Sequence, residues 1–333
     1  MPAVRLVDRE PEVGAADLLA TLVPPPRFAA ARFSTYQPDP AQPSQATAVA
    51  ELTAFAHRLA ARPSRFRKRL PAPQGVYLDG GYGVGKTHLL ASLWHEAPEP
   101  KAYSTFVELT HLVGAMGFAE TTAALSTYRL VAIDEFELDD PGDTVLVSTL
   151  LARLVDAGVN LAATSNTLPG SLGEGRFSAQ DFLREIQGLR AHFTPLRVDG
   201  EDYRHRGLPA PPPPLTDEAL VALAEQTPRA SYDGFESLLQ HLARLHPSRY
   251  GALVDGLDLV CVERLGPLTD QAAALRLVVL ADRLYDRDIA LATSGVPLDH
   301  LFPAELLAGG YRKKYLRALS RLTALARQAH GKG

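Results

Sequence analysis

Gly80-Gly81-Tyr82-Gly83-Val84-Gly85-Lys86-Thr87 fills every specified position of a G-x-x-x-x-G-K-[ST] loop, and such a loop dictates what must stand on either side of it. It works only between a strand and a helix. The apolar run Gly75-Val76-Tyr77-Leu78 precedes it, and a helical pattern from His88 to Trp94 follows. The glycines let the backbone curl with several N–H groups pointing inward, the helix presents its positive end, and the Lys86 ammonium reaches the outer phosphates. Thr87 is placed to hold Mg2+, and Gly80 through His88 are the candidate nucleotide contacts. The segment implies that the chain binds a nucleoside triphosphate.

The rest of the chain narrows the setting. With 333 residues, 46% of them hydrophobic, it is long enough for two domains, or for one domain with a large extension. A formal net charge of -4 gives no global basic field, so nucleic acid is not an expected partner. The single cysteine, Cys261, lies in the apolar run 257–262 and reads as a buried strand residue in a reducing compartment. No run approaches the roughly 18 apolar residues a membrane span needs. The first thirty residues carry Asp8, Glu10, Glu12 and Asp17, unlike a secretion signal, and a soluble cytoplasmic protein is expected.

Residues 1–45 are proline-rich and aperiodic, which predicts either an extended arm lying on another surface or a flexible tail. From 46 to 60, Val49, Leu52, Phe55, Ala56 and Leu59 fall on one helical face. Arg58, Arg62, Arg65, Arg67, Lys68 and Arg69 then form the densest positive cluster, read as solvated surface, with a nucleic-acid or acidic-partner site as the alternative. Strand patterns at 101–107, 129–134 and 159–164, with a helix over 143–157 capped by Asp140, argue for an α/β fold. Its core, 46–206, is expected to be a parallel sheet covered by helices on both faces, with Asp134 ending the strand beside the loop strand. Leu196-Arg197-Val198 predicts one further strand. The proline-rich stretch 207–215 is the expected linker to a mixed α/β region over 216–333. That region alternates helical patterns at 216–226, 235–245, 270–285 and 312–329 with strand-like runs at 257–262 and 289–293.

One echo runs through both parts. Arg153-Leu154-x-Asp156-x-x-Val159-x-Leu161-Ala162 recurs as Arg283-Leu284-x-Asp286-x-x-Ile289-x-Leu291-Ala292, and each copy runs on into Thr-Ser, at Thr164-Ser165 and Thr293-Ser294. We read both as helix–turn–strand units shaped by the same packing demands, with a degenerate duplication as the alternative.

Binding becomes hydrolysis when a metal-holding acid, a group that orients water and a reporter of the γ-phosphate join the loop. Asp134 ends a buried strand, where its carboxylate can hold Mg2+. Glu135 follows it as candidate general base. Asn166 follows the next strand, where an amide can reach the γ-phosphate or the water, since ligands collect beyond the carboxyl ends of parallel strands. This set points to the AAA+ ATPases and their neighbours; GTPases are disfavoured because no base-reading Asn-Lys-x-Asp is present. Arg176, Arg184 and Arg190 are candidates for a contact in trans, and Arg312, Arg317 and Arg321 for one in cis. Surface solvation is the reading for most of them, so self-association stays open.

Six ordered segments carry a family resemblance: Phe33-x-x-Tyr36-x-Pro38-Asp39-Pro40-x-x-Pro43-Ser44-Gln45, the loop, Ile133-Asp134-Glu135-Phe136, Thr164-Ser165-Asn166, Asp202-Tyr203-Arg204-x-Arg206 and Ser320-Arg321-Leu322. Over residues 30–325 the chain resembles the ZapE-like family of AAA+ type P-loop ATPases, which includes mitochondrial relatives. The stretches 136–143 and 173–177 resemble the version found in high-GC Gram-positive bacteria. The resemblance implies an ATPase acting with the division-ring protein FtsZ at the membrane-associated constriction site. It implies Lys86 and Thr87 as loop lysine and Mg2+ ligand, Asp134 and Glu135 as the second motif, and Asn166 as sensor. The chain departs from the family pattern at Val84 and Ala318, and no arginine matches ahead of Phe182-Leu183, where Arg176 is the nearest substitute. The arginine assignments therefore stay open. Tyr36 and Gln45 in the arm are candidates for adenine contacts or subunit packing. Two alternatives remain: a nucleic-acid-stimulated motor or loader using the cluster 58–69, and a module that keeps ATP only as a structural ligand, against which the intact Asp134-Glu135 pair argues.

Overall fold

A computed structural model describes residues 3–61, 75–81, 83–136, 141–166, 188, 191–200 and 210–330. Tyr82, residues 62–69 of the basic cluster, Asp140, Arg176, Arg184, Arg190 and Asp202 to Arg206 lie outside the described residues. The chain forms two compact units, one of residues 15–24 and 28–207, which carries the loop, and one of residues 1–14, 25–27 and 208–333.

The loop-bearing unit contains α1 (Ala15–Ala20), α2 (Pro43–Ala60), β1 (Gly75–Gly80), α3 (Lys86–Glu96), β2 (Lys101–Thr105), α4 (Phe106–Met116), α5 (Phe118–Leu125), β3 (Leu130–Asp134), α6 (Pro141–Asp156), β4 (Asn160–Ser165) and β5 (Phe193–Val198). Its five strands pair in parallel in the order β2-β3-β4-β1-β5. The acid strand β3 is therefore not beside the loop strand β1 as expected; β4 stands between them. Alternation along each strand divides the core. Val76, Leu78, Leu130, Ala132 and Ala162 pack with α2 and α3 on one face, while Tyr77, Val131, Ile133, Leu161 and Ala163 pack with α4 and α6 on the other. The expected strand over 101–107 stops at Thr105, whose hydroxyl caps α4 by accepting the Glu108 N–H at 3.2 Å while Glu108 reaches back to the Thr105 N–H at 2.7 Å.

In the carboxy-terminal unit, α7 (Asp217–Gln226), β6 (Ala230–Gly234), α8 (Phe235–Arg244), α9 (Tyr250–Val254), β7 (Leu259–Leu265), α10 (Gln271–Asp286), β8 (Ala290–Gly295), α11 (Ala304–Leu307) and α12 (Arg312–His330) surround a parallel sheet ordered β6-β7-β8. Val260, Val262 and Leu291 face α8, α10 and α12; Leu259, Cys261, Ala290 and Ala292 face α7. Burial pushes the Cys261 thiol up to about 12, the state of an inert core cysteine. Arg317 donates to Asp282 at 2.9 Å and Arg321 bonds the other oxygen of the same carboxylate.

The proline-rich amino terminus contributes to both units. Val4 bridges β6, with its N–H on the Ala230 carbonyl at 3.0 Å and its carbonyl taking the Tyr232 N–H at 2.9 Å. Leu6 is fully buried, and the Asp233 carboxylate accepts the N–H groups of Leu6 and Val7 at 2.9 and 3.1 Å. In the loop-bearing unit the Leu22 carbonyl takes the Tyr103 N–H at 2.9 Å. No helix among the described residues is long and apolar enough to cross a membrane.

Candidate active site at the phosphate loop

Gly83 and Gly85 take φ of 76° and 89°, the left-handed region that lets the loop curl back before α3 begins at Lys86. The Lys86 side chain is 8% exposed and donates to the Gly80 carbonyl at 3.0 Å, the Gly81 carbonyl at 2.5 Å and Asn166 Oδ1 at 2.9 Å. The end of β4 is thus tied to the loop through its lysine. Asp79, buried at the base of the loop, pairs with Arg197 of β5 at 2.7 Å, and that bond raises the Arg197 pKa.

Asp134 sits at the centre of a web of hydroxyls. Thr87 donates to Oδ1 at 3.3 Å, Tyr103 donates to Oδ2 at 2.9 Å, and the Thr164 hydroxyl donates to Oδ1. Thr164 Oγ1 in turn accepts the Glu135 N–H at 3.1 Å. Glu135 has φ of 52°, a left-handed conformation that costs a non-glycine residue roughly 1 kcal/mol or more. The Thr87 hydroxyl and the Asp134 carboxylate are adjacent hard oxygen donors, a set that fits Mg2+.

The arm residues Tyr36 and Gln45 hold the loop from behind. Tyr36 donates its hydroxyl to the Val84 carbonyl at 2.8 Å, and its ring lies where a Cβ on Gly85 would come within 2.5 Å. Gln45 accepts the Asp39 N–H at 2.9 Å and donates to the Asp199 carbonyl at 2.7 Å. Val84 is buried, and a Cβ on Gly200 would meet its side chain at 2.7 Å. His88 Nε2 lies 3.1 Å from both Thr35 Oγ1 and the Arg32 carbonyl. Sequence reasoning missed the web partners Tyr103 and Thr164 and this brace. The signal was a hydroxyl side chain on each strand flanking the acid, which means something only once the cross-strand register is known.

The sequence model of the AFG1-like ATPase family matches residues 14–226 and 222–331, nearly the whole chain. The chain belongs to the AFG1-like ATPase family. It is an ATPase. This AFG1-like chain is 27% identical to the cell division protein ZapE of Escherichia coli over 296 residues, covering 75% of this chain and 77% of that protein. It is 26% identical over 156 residues to an uncharacterized protein of Schizosaccharomyces pombe, covering 40% of this chain and 33% of that protein. Among solved structures, that of DnaI aligns at 20% identity with a TM-score of 0.40, covering 52% of this chain and 94% of that one.

Proposed function

We propose that this AFG1-like protein hydrolyses ATP with Mg2+ at the loop and that the cycle alters its contact with a division protein. The observation that carries the reading is the web on Asp134. It fixes one carboxylate against the Thr87 hydroxyl while the Lys86 ammonium reaches across to Asn166. Gly80 to Gly85 and the amino end of α3 bind the phosphates, with Lys86 on the outer ones. Thr87 and Asp134 hold Mg2+, which neutralises phosphate charge when bound. Glu135 directs the attacking water, and Asn166, bonded to Lys86, couples loss of the γ-phosphate to the loop.

FtsZ is the proposed partner, on the likeness to a relative described as a cell division protein. The site reading is tested with Glu135→Gln, expected to keep ATP affinity and lose turnover by about 100-fold or more. An unchanged rate would remove Glu135 from the mechanism. The partner reading is tested separately, by ATPase rate with and without polymerising FtsZ; an indifferent rate would remove FtsZ and leave the site reading intact.

A further inference from the structure

The echo noted in the sequence extends far beyond the residues that first showed it. Strands β2, β3 and β4 begin at Lys101, Leu130 and Asn160; β6, β7 and β8 begin at Ala230, Leu259 and Ala290, at a spacing of about 130 residues throughout. Both trios are parallel and run in chain order across the sheet. A pair of helices joins the first two strands of each trio, and one long helix, α6 or α10, joins the last two.

The hydrogen bonds repeat with the elements. Tyr103 donates to Asp134, and Tyr232 donates to Glu263. In each sheet the tyrosine stands two residues before the strand position that faces the acid: Thr105 opposite Asp134, Gly234 opposite Glu263. The next residue has φ of 52° at Glu135 and 54° at Arg264. Its N–H is taken by a hydroxyl of the following strand, Thr164 at 3.1 Å and Ser294 at 2.9 Å. The helix-to-strand return repeats too: the Val159 N–H bonds the Leu154 carbonyl at 2.9 Å, and the Ile289 N–H bonds the Leu284 carbonyl at 3.0 Å. Even the edge is the same, with Leu22 on Tyr103 and Val4 on Tyr232. Packing demands alone would repeat the apolar pattern but not a tyrosine–acid bond, a left-handed residue and a hydroxyl acceptor at matched register.

One part differs. Leu78 pairs with Thr164, and Leu215 bridges Ser294 in the same parallel sense. Between Leu78 and α3 stand Asp79 to Gly85, the phosphate loop; between Leu215 and α7 stands Thr216 alone. Helix α7 nonetheless packs across β6, β7 and β8 as α3 packs across β2, β3 and β4. At its first position Asp217, not a lysine, accepts the Ser294 hydroxyl and takes Arg264 Nε at 3.3 Å. The Ser294 bond, followed by that of Arg264, outweighs desolvation and keeps the Asp217 carboxyl below its ordinary range.

We infer that the carboxy-terminal unit is a degenerate copy of the nucleotide-binding half-sheet, from which the phosphate loop is gone and in which the Asp217 carboxylate, bound by Ser294 and Arg264, serves as a built-in ligand at the head of α7. The copy binds no nucleotide and needs none to hold its strand ends together.

Hydrogen exchange of the full chain, resolved to single amides, tests this at Glu135 and Arg264, whose N–H groups make equivalent bonds. Mg2+ with a non-hydrolysable ATP analogue should leave Arg264 unchanged while slowing Glu135 about tenfold or more. Asp217→Asn and Asp217→Ala should each speed exchange at Arg264 about tenfold or more, with Glu135 unchanged as the internal sign of an intact fold. Nucleotide-dependent slowing at Arg264 would overturn the inference, and so would unchanged exchange there in both variants.

Discussion

The two sheets of this chain hold the same tyrosine–acid–hydroxyl arrangement in two chemical settings, and the contrast separates architecture from chemistry. Glu135 alone would tempt one to read its left-handed backbone as strain stored for catalysis. Arg264 adopts the same conformation, bonded to Ser294 as Glu135 is to Thr164, in a sheet with no phosphate loop. The conformation therefore belongs to the way a strand ends against its neighbour. What is particular to the loop-bearing sheet is the run Asp79 to Gly85, Lys86 bonded to Gly80, Gly81 and Asn166, and a carboxylate shared with Thr87.

Paired substitutions sharpen this contrast. Lys86→Ala should lower ATP turnover by about 1000-fold, through loss of charge stabilisation at the phosphates, whereas Asp217→Ala at the head of α7 should leave the steady-state rate within about twofold. A large rate loss from Asp217→Ala would break the division of roles. At the next level, Tyr103→Phe or Thr164→Val should each lower kcat about tenfold by loosening Asp134. The counterparts Tyr232→Phe and Ser294→Ala should leave kcat alone and show only in thermal unfolding, at about 1 kcal/mol each.

Smaller effects come from the strand cores. Cys261 and Ala132 occupy equivalent places, facing Tyr232 and Tyr103 across their sheets. Cys261→Ala makes the second sheet resemble the first at a cost of about 1 kcal/mol, read as a lower unfolding midpoint. Because burial pushes its thiol up, the native cysteine should resist thiol reagents at neutral pH until the unit unfolds. The smallest effect is in acid. Asp217 has a folded pKa below its unfolded value, so its contribution is fully present above about pH 4 and is lost as pH falls through the lower, folded value. Wild-type and Asp217→Asn stabilities should therefore converge below that window.

Much of the loop-bearing sheet was legible because its constraints are local. Each residue of the loop answers to a backbone requirement within a few positions, and the runs at 129–134 and 159–164 are apolar enough to read as buried strands. Strand β6 was not legible: Ala230-Ser231-Tyr232-Asp233-Gly234 buries Ser231 and Asp233, so its pattern mimics a polar turn. The web around Asp134 is illegible for a different reason. Tyr103 and Thr164 matter through pairing partners far along the chain, which no window of sequence reveals. The echo at 153–162 and 283–292 is visible in the sequence, where packing demands account for it equally well; the hydrogen bonds that repeat outside it are visible only in the structure. The arm shows the limit of composition: proline and aperiodicity described its backbone and said nothing of Tyr36 on Val84.

One working sheet and one silent twin imply a single nucleotide per chain. Equilibrium binding of ATP with Mg2+ to Glu135→Gln, which should hold the nucleotide without turning it over, is predicted to saturate at one per chain, and adding Lys86→Ala should remove it. Two nucleotides per chain, or one that survives Lys86→Ala, would mean that the second sheet binds nucleotide after all.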